Sequence, residues 1–151
     1  MCHVLYAACT LAEVDAADGL VQLSRLVLAA YSDASARHGL TPVQARLLCV
    51  LATGPRGMAE LATCFGVEKA ALTGLVDRAE RRGLVRRAAV PDDRRAVRVM
   101  LTPDGSSAAT AFHAEADAAV ERLLEPLAPD ERRTFRELLE TVVRSSGGCG
   151  G

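Results

Sequence analysis

The sequence has no tryptophan, no isoleucine and no asparagine, and its aromatic residues are limited to three Phe and two Tyr among 151 residues. The core must therefore be aliphatic, and half of the residues are hydrophobic. A single lysine, Lys69, stands against 17 arginines. Since Lys, Ile and Asn all need codons rich in A and T, their scarcity indicates a GC-rich bacterial genome. A chain of this length and composition is expected to form one compact globular domain.

Long apolar runs are also missing, and so are paired cysteines. No stretch approaches the roughly 20 apolar residues of a membrane-spanning helix, and the apolar start over 1–12 lacks the basic region of a signal peptide. The cysteines are odd in number and include no CxxC pair, which argues against a disulfide framework or a zinc module. They are Cys2, Cys9, Cys49, Cys64 and Cys149. We expect a cytoplasmic protein with no cofactor and no membrane partner.

Recognisable catalytic motifs are absent from the chain. There is no glycine-rich phosphate loop and no Gly-x-Ser-x-Gly, and the three histidines, His3, His38 and His113, stand beside no nucleophile in a known motif. The sequence therefore predicts that the protein is not an enzyme.

The net charge of −1 conceals an uneven distribution. Residues 56–98 carry ten basic and six acidic side chains, whereas the rest of the chain carries eight basic and thirteen acidic ones. A basic middle inside an acidic frame is typical of a protein in which one part contacts a polyanion. Solvated arginines at helix ends would give the same pattern, so charge alone leaves both interpretations open.

Apolar residues spaced three and four apart predict a series of helices. The first is expected over about 18–37, and Thr41-Pro42 then provides a cap and a first-turn proline for a second helix that ends at Gly54. A short helix over 59–65, a tight turn at Gly66 and a helix over about 68–82 follow. The apolar stripe of the first helix is Leu20, Leu23, Val27, Ala30 and Ala34, and that of the second is Val43, Leu47, Val50 and Leu51.

The period changes after Gly83. Residues 84–89 and 96–101 alternate as strands do, and the six polar residues 90–95 between them predict a hairpin loop. Thr102-Pro103 repeats the cap signal and opens a long helix to about residue 125, and a last helix is expected over 130–144. The stripe of the long helix is Ala109, Phe112, Ala116, Ala119 and Leu123, and that of the last is Phe135, Leu138, Leu139, Val142 and Val143.

A short helix, a glycine turn, a second helix and a hairpin with a basic tip form the order of a winged helix-turn-helix. A helix fits the major groove of DNA, which is about 12 Å wide, and arginines on a hairpin loop can reach the minor groove, whose negative potential favours guanidinium groups. The expected fold class is mainly α with a small β-hairpin wing, and terminal helices forming a dimerisation layer.

Several motifs resemble the MarR/SlyA family of bacterial transcriptional regulators over about 20–143. They are Glu60-Leu61-Ala62, Gly66-Val67, Leu72-Thr73-Gly74-Leu75-Val76-Asp77-Arg78, Gly83-Leu84-Val85-Arg86-Arg87, Asp93-Arg94-Arg95 and Leu101-Thr102-Pro103-Asp104-Gly105. The resemblance implies a loose segment over 1–17, one domain over 18–144 and a flexible tail over 145–151. Within the domain it implies dimerisation helices at about 18–37 and 103–144 around a DNA-binding unit at about 41–101.

The resemblance also assigns roles to residues. Lys69, Ala70 and Thr73 occupy the groove-facing start of the recognition helix, with Arg94 on phosphate, Arg95 in the minor groove and Asp93 bracing the wing. Two departures are Gly57, which replaces the usual Ser/Thr cap and is expected to loosen its helix, and Ala70, which replaces a hydroxyl residue. The implied dimer contacts are Leu20, Leu23, Val27, Phe112, Leu123, Phe135, Leu139 and Val142.

The resemblance implies a homodimeric transcriptional repressor that binds a pseudo-palindromic operator. The affinity of this regulator for double-stranded DNA is expected to change when a small-molecule effector binds between the dimer helices and the winged unit. Arg81, Arg82, Arg86 and Arg87 are open to either phosphate contact or plain solvation, and Asp77-Arg78 is read as an ion pair that joins helices.

The sequence leaves two other functions open. A thiol-based oxidation sensor of the same fold would carry a reactive cysteine in the first helix, near Ala17, where this chain has none; Cys2 and Cys9 lie upstream, and Cys49 and Cys64 are expected in the core. A helical protein-interaction module without DNA binding is the alternative from another class. His113 and Asp117, four apart on one helix face, are candidate metal ligands that His38 or Glu13 could join, but two candidates do not make a site.

Overall fold

The computed structural model describes residues 15–90 and 93–145, with the backbone alone for residues 90 and 93–96. The helices are α1 (Ala16–Arg37), α2 (Pro42–Ala52), α3 (Met58–Phe65), α4 (Lys69–Arg81), α5 (Pro103–Arg122) and α6 (Pro129–Ser145). The strands are β1 (Arg56–Gly57), β2 (Val85–Val90) and β3 (Asp93–Leu101). The predicted fold class, mainly α with a small β wing, is confirmed. In the described part of the chain, no helix is long and apolar enough to cross a membrane.

Two helix starts follow from their capping residues. The Thr41 hydroxyl accepts a hydrogen bond from the Gln44 backbone at 3.2 Å, and the Gln44 side chain accepts one from the Thr41 backbone at 3.1 Å. At the head of α5 the Thr102 hydroxyl accepts from the Gly105 backbone at 3.0 Å. These bonds satisfy backbone donors that have no partner inside the helix, so α2 and α5 begin at the prolines the sequence indicated.

The sheet differs from the predicted hairpin in two ways. Its order is β1-β3-β2, all antiparallel, and the sequence missed β1 because a strand of two residues shows no period. The strands also continue into the predicted six-residue loop, since Val90 pairs with Asp93 and Ala89 pairs with Val97. The three residues 94–96 of β3 therefore oppose no residue of β2, which makes a bulge at the tip of the wing.

Helix α5 supplies the centre of the protomer core. Ala109, Phe112 and Ala116 are buried in one cluster with residues of α1, α2, α4 and the sheet. The Phe112 ring packs edge-on against Tyr31, with ring centroids 5.7 Å apart. Phe112 is only 1% exposed in the single chain. The prediction that it contacts a second subunit is therefore wrong, because this side chain is already covered by its own protomer.

Exposure corrects two more expectations about the core. Val43, placed on the inward side of α2, is 51% exposed. Cys64, also expected in the core, is exposed on α3. Both lie on helices whose inward positions are filled by Leu47, Leu48 and Leu61, which are fully buried. Periodicity found the right helices but assigned one more residue to each buried face than the packing accommodates.

Candidate nucleic-acid interface

Helix α4 presents its first turn to solvent and buries its opposite face. Lys69 and Ala70 are exposed and Thr73 is partly exposed. The buried residues of the helix are Leu72, Leu75, Val76 and Ala79. The Thr73 hydroxyl donates to the Lys69 carbonyl at 2.8 Å, which leaves its lone pairs available to accept a hydrogen bond. The three residues assigned to base reading thus share one accessible face at the start of the helix.

Helix α3 and the turn after it hold α4 in place. Gly57 stands at the N-cap of α3 and has no side chain to cap it, but its backbone N–H donates to the Glu60 carboxylate at 2.6 Å. A carboxylate at this end also interacts favourably with the helix dipole. The Glu60 carboxylate thus holds the start of α3, which argues against the expectation that Gly57 loosens this helix. Gly66 ends α3 in the left-handed region at φ 62°, a conformation in which glycine carries no Cβ penalty.

The wing holds the predicted Asp93, Arg94 and Arg95. Asp93 pairs with Val90, and both arginines lie in the bulged segment at the tip. Their side chains lie outside the described residues. The roles of Asp93 as brace, Arg95 in the minor groove and Arg94 on phosphate therefore remain predictions.

Arg87 joins α4 to the wing instead of facing DNA. Its guanidinium lies 2.7 Å from Asp77 and 2.5 Å from Glu80, and its backbone N–H donates to Glu80 at 3.0 Å. Partial burial acts to lower the pKa of Arg87, but the hydrogen bonds that its guanidinium donates to Asp77 and then to Glu80 outweigh it, and the pKa is raised. Asp77 was expected to pair with Arg78; its ion-pair partner is Arg87, on a neighbouring element.

The remaining arginines divide into two groups. The Arg82 guanidinium donates to the Gln44 side chain at 2.9 Å, so it ties the end of α4 to the start of α2. Arg78, Arg81, Arg86 and Arg98 are exposed. Contacts to phosphate position a protein on DNA without reading sequence, and exposed arginines beside a groove-facing helix suit that role. The sequence does not distinguish Arg82 from the exposed arginines, because its partner Gln44 lies on another helix.

Two cavities border α2 and α5. One, of about 550 Å³, lies between α1, α2 and α5. The other, of about 620 Å³, lies between α2, the end of β3 and α5, and its wall includes Thr53, Ser106, Thr110 and Asp117. Cys49 and His113 line both. Neither cavity could be predicted from the sequence, since the walls of each come from segments far apart in the chain.

The candidate metal ligands form two separate pairs. His113 lies 3.3 Å from Asp117, whereas His38 lies 2.7 Å from Glu115, which also pairs with Arg37. Across residues 15–90 and 93–145, no three metal-ligating side chains come together. Glu13 lies outside the described residues.

The environment of Cys49 does not favour oxidation sensing. Burial, followed by the nearby Asp117 carboxylate, raises the pKa of the Cys49 thiol. A raised pKa reduces the thiolate, which is the form that oxidants attack. Cys2, Cys9 and Cys149 lie outside the described residues.

Comparisons with known proteins agree with this geometry. Residues 38–96 match the model of the MarR family. The chain is 34% identical over 112 residues to the HTH-type transcriptional repressor NicR of Pseudomonas putida, covering 74% of this chain and 71% of that protein. It is 30% identical over 92 residues to the uncharacterised HTH-type transcriptional regulator YfiV of Bacillus subtilis, of which it spans only 58%. The structure of the transcriptional repressor CouR bound to a 23-mer DNA duplex is similar, with a TM-score of 0.70, 28% identity, and 91% of this chain and 99% of that chain covered.

Proposed function

The chain belongs to the MarR family of winged-helix, DNA-binding transcriptional regulators, and from this premise we propose that it is a repressor that binds a pseudo-palindromic operator as a homodimer and responds to a small-molecule effector. The family membership also confirms the prediction that the protein is not an enzyme, because the matched relatives are transcriptional regulators. We also propose that the protein acts in the bacterial cytoplasm, because that is where a chromosomal operator lies.

The observation that carries the DNA-binding proposal is the accessible first turn of α4. Lys69, Ala70 and Thr73 lie on a face that no other described element covers, at the end of a helix whose opposite side is anchored in the core. In this pose the Lys69 ammonium and the Thr73 hydroxyl can hydrogen-bond base edges, and the Ala70 methyl can contact the methyl group of thymine. We also propose that Arg94 and Arg95, at the tip of the wing, contact phosphate and the minor groove beside this helix.

The homodimer is supported by apolar surface on the terminal helices. Leu20 is 58%, Leu28 is 68% and Leu138 is 62% exposed, and every residue of α6 is at least partly exposed. Large apolar side chains exposed to this extent mark an interface in a folded protein, and two-fold pairing is the commonest way to bury them. The proposed contacts are Leu20, Leu23, Val27, Leu123, Phe135, Leu139 and Val142, without Phe112.

The effector proposal rests on the two cavities beside α2 and α5. Each has a volume in the range of small-molecule sites and lies between the helices proposed to dimerise and the DNA-binding unit. A ligand there that alters the angle between these parts would change the separation of the two α4 helices. Because half-sites on B-DNA lie about 34 Å apart, a shift of a few Å prevents both helices from docking.

The test is a DNA titration with the intact protein. A duplex taken from upstream of its own gene is compared with an unrelated duplex of equal length and base composition, at several salt concentrations. We expect an inverted repeat to be bound at least about a thousandfold more tightly than the unrelated duplex. Equal affinity for the two duplexes would show that the protein does not read sequence, and no salt-dependent binding at all would favour an interaction module instead.

A further inference from the structure

Arg82 connects the last turn of α4 to the start of α2. It is the C-cap residue of α4, and its Nη1 donates to the side-chain oxygen of Gln44 at 2.9 Å. The same guanidinium lies against the turn from α1 to α2, since its Nη2 is 3.8 Å from the position that a Cβ would take at Gly39. One side chain therefore joins the end of the recognition helix to the corner at which α1 and α2 meet.

Gln44 is a buried and well-fixed acceptor for this bond. The residue is 6% exposed, and its side-chain oxygen also accepts a hydrogen bond from the Thr41 backbone at 3.1 Å. An amide oxygen has two lone pairs, so the two donors together use both of them. Gln44 lies in the first turn of α2, whose inward residues Leu47 and Leu48 are fully buried. The core therefore sets the place at which the Arg82 guanidinium is held.

The tilt of α4 depends on directional contacts of this kind. The buried residues of the helix pack by hydrophobic contact, which has no directional preference, whereas a hydrogen bond has one. Arg87 joins α4 to the wing, and Arg82 joins it to α2. Arg82 lies 13 residues after Lys69, which is about 20 Å along an α-helix. A tilt of about 10° at the Arg82 end would move the first turn by about 3 Å, which is the length of a hydrogen bond.

We propose that Arg82 is a positioning residue for operator recognition, because its bond to Gln44 fixes the tilt at which α4 presents Lys69 and Thr73 to base edges. This rests on the proposed function, since it presupposes that α4 reads an operator. Contacts to base edges carry the sequence information, whereas contacts to phosphate are common to every duplex. Loss of the bond should therefore reduce the preference for operator over unrelated DNA.

The experiment measures the affinity of the intact protein for the inverted-repeat duplex and for the unrelated duplex, and the ratio of the two is the selectivity. Arg82→Met removes the guanidinium and keeps a side chain that suits a helix. Arg81→Met is the matched control, because it removes the same charge from the adjacent exposed residue. The Arg81 Nε donates at 3.3 Å to the Asp77 carbonyl of α4 itself, so this substitution cuts no bond to α2.

Two substitutions at Gln44 test the partner, which is too buried to contact DNA. Gln44→Met removes the acceptor of the Arg82 bond. Gln44→Glu keeps an acceptor, because a glutamate here still completes the capping box with Thr41 and its carboxylate forms a charge-assisted bond with a guanidinium. The double variant Arg82→Met with Gln44→Met completes a cycle that measures the coupling between the two residues.

We expect Arg82→Met and Gln44→Met each to lower the selectivity about tenfold, which corresponds to about one lost base contact. The double variant should lower it no further than either substitution alone. Arg81→Met and Gln44→Glu should keep the selectivity within about twofold of the wild type. Thermal unfolding without DNA shows which variants are folded at the temperature of the titrations. If Gln44→Met does not fold, Arg82→Met and Arg81→Met still provide the test, since they lose equal charge and only Arg82→Met loses the bond to α2.

Four results would overturn the proposal. They are wild-type selectivity in Arg82→Met, an equal loss in Arg81→Met, a loss in Gln44→Glu as large as in Arg82→Met, and additive losses in the double variant. A smaller salt slope with unchanged selectivity in Arg82→Met would assign Arg82 to a phosphate contact instead. Failure of the proposed function is distinguishable, because the wild type would then bind both duplexes equally. If the wild type is selective and Arg82→Met is equally selective, only the role of Arg82 is wrong.

Discussion

Arg95 and Thr73 lie in different parts of the DNA-binding unit, and their substitutions should fail in different ways. Arg95→Ala, in the bulged tip of the wing, should weaken operator and unrelated DNA alike and reduce the salt slope by about one phosphate equivalent per subunit. Thr73→Ala or Lys69→Ala should instead reduce the difference in binding free energy between operator and unrelated DNA, by about 1–3 kcal/mol for each lost base contact.

Salt titrations of both duplexes provide the measurement for these variants. Asp93→Ala should reproduce part of the Arg95→Ala effect if it braces the wing. Arg133→Ala is the matched control, because it removes the same charge from an exposed position of α6 outside the DNA-binding unit and should leave affinity and salt slope nearly unchanged. Unchanged affinity and salt slope in Arg95→Ala would mean that the wing does not engage DNA, even though the fold is right.

Cys49 should react slowly with alkylating reagents. The pKa of its thiol is raised by burial and then by the Asp117 carboxylate, so at pH 7.5 Cys49 holds less thiolate than an ordinary cysteine. Iodoacetamide labelling followed by peptide mass spectrometry should therefore modify exposed Cys64 before Cys49. Asp117→Asn should lower the Cys49 pKa and speed its labelling, while Glu121→Gln, one turn further along α5, should not. Equal Cys49 rates in wild type and Asp117→Asn would contradict the electrostatic cause.

At the scale of elements, the junction between the wing and α5 depends on a glycine. A Cβ at Gly105 would lie 1.8 Å from the Leu84 carbonyl oxygen. Gly105→Ala should therefore destabilise the protein by about 1–3 kcal/mol or more, since backbone must move to relieve the clash. Gly74→Ala, inside α4, meets only the flexible end of Arg78 at 3.4 Å, so it should raise stability by about 0.5–1 kcal/mol.

Urea unfolding at one fixed protein concentration measures both glycine variants, because the stability of a dimer depends on concentration. The two substitutions add the same methyl group, so opposite shifts of the midpoint isolate the effect of the close approach. The same urea midpoint for Gly105→Ala and wild type would show that the backbone at Leu84 and the start of α5 can move apart at little cost in the free energy of unfolding.

Elements with local signals could be predicted from the sequence. Thr41-Pro42 and Thr102-Pro103 marked the starts of α2 and α5 because a cap bonds to a residue three positions away. Features set by distant partners could not. Strand β1 depends on pairing with β3, Arg87 on carboxylates of α4, and the contact of Arg46 with Phe65 on a neighbour 19 positions away.

The same limit explains the error at Phe112. Its stripe on α5 was correctly recognised as apolar, but periodicity does not say which surface covers a stripe. In the structure α5 is covered by α1 and α2 of its own chain, whereas α6 keeps Leu138 and Leu139 at 62% and 43% exposure. The apolar surface left for a partner is therefore on the terminal helices, and a substitution test must be placed there.

At the scale of the whole molecule, Leu139→Asp should disrupt the proposed dimer and DNA binding together. A carboxylate at the two-fold interface would be buried without a partner, and one protomer alone places only one α4 on the operator. Light scattering should give twice the 15.9 kDa chain mass for the wild type and a lower mass for Leu139→Asp.

Arg133→Asp puts the same side chain on the polar face of α6 and should leave mass and affinity nearly unchanged. Phe112→Asp should instead lose the circular dichroism of the helices, because it places the charge inside the protomer core. A wild-type protein that scatters as a folded monomer at micromolar concentration, or a Leu139→Asp variant that still dimerises and binds operator, would show that these helices do not form the interface.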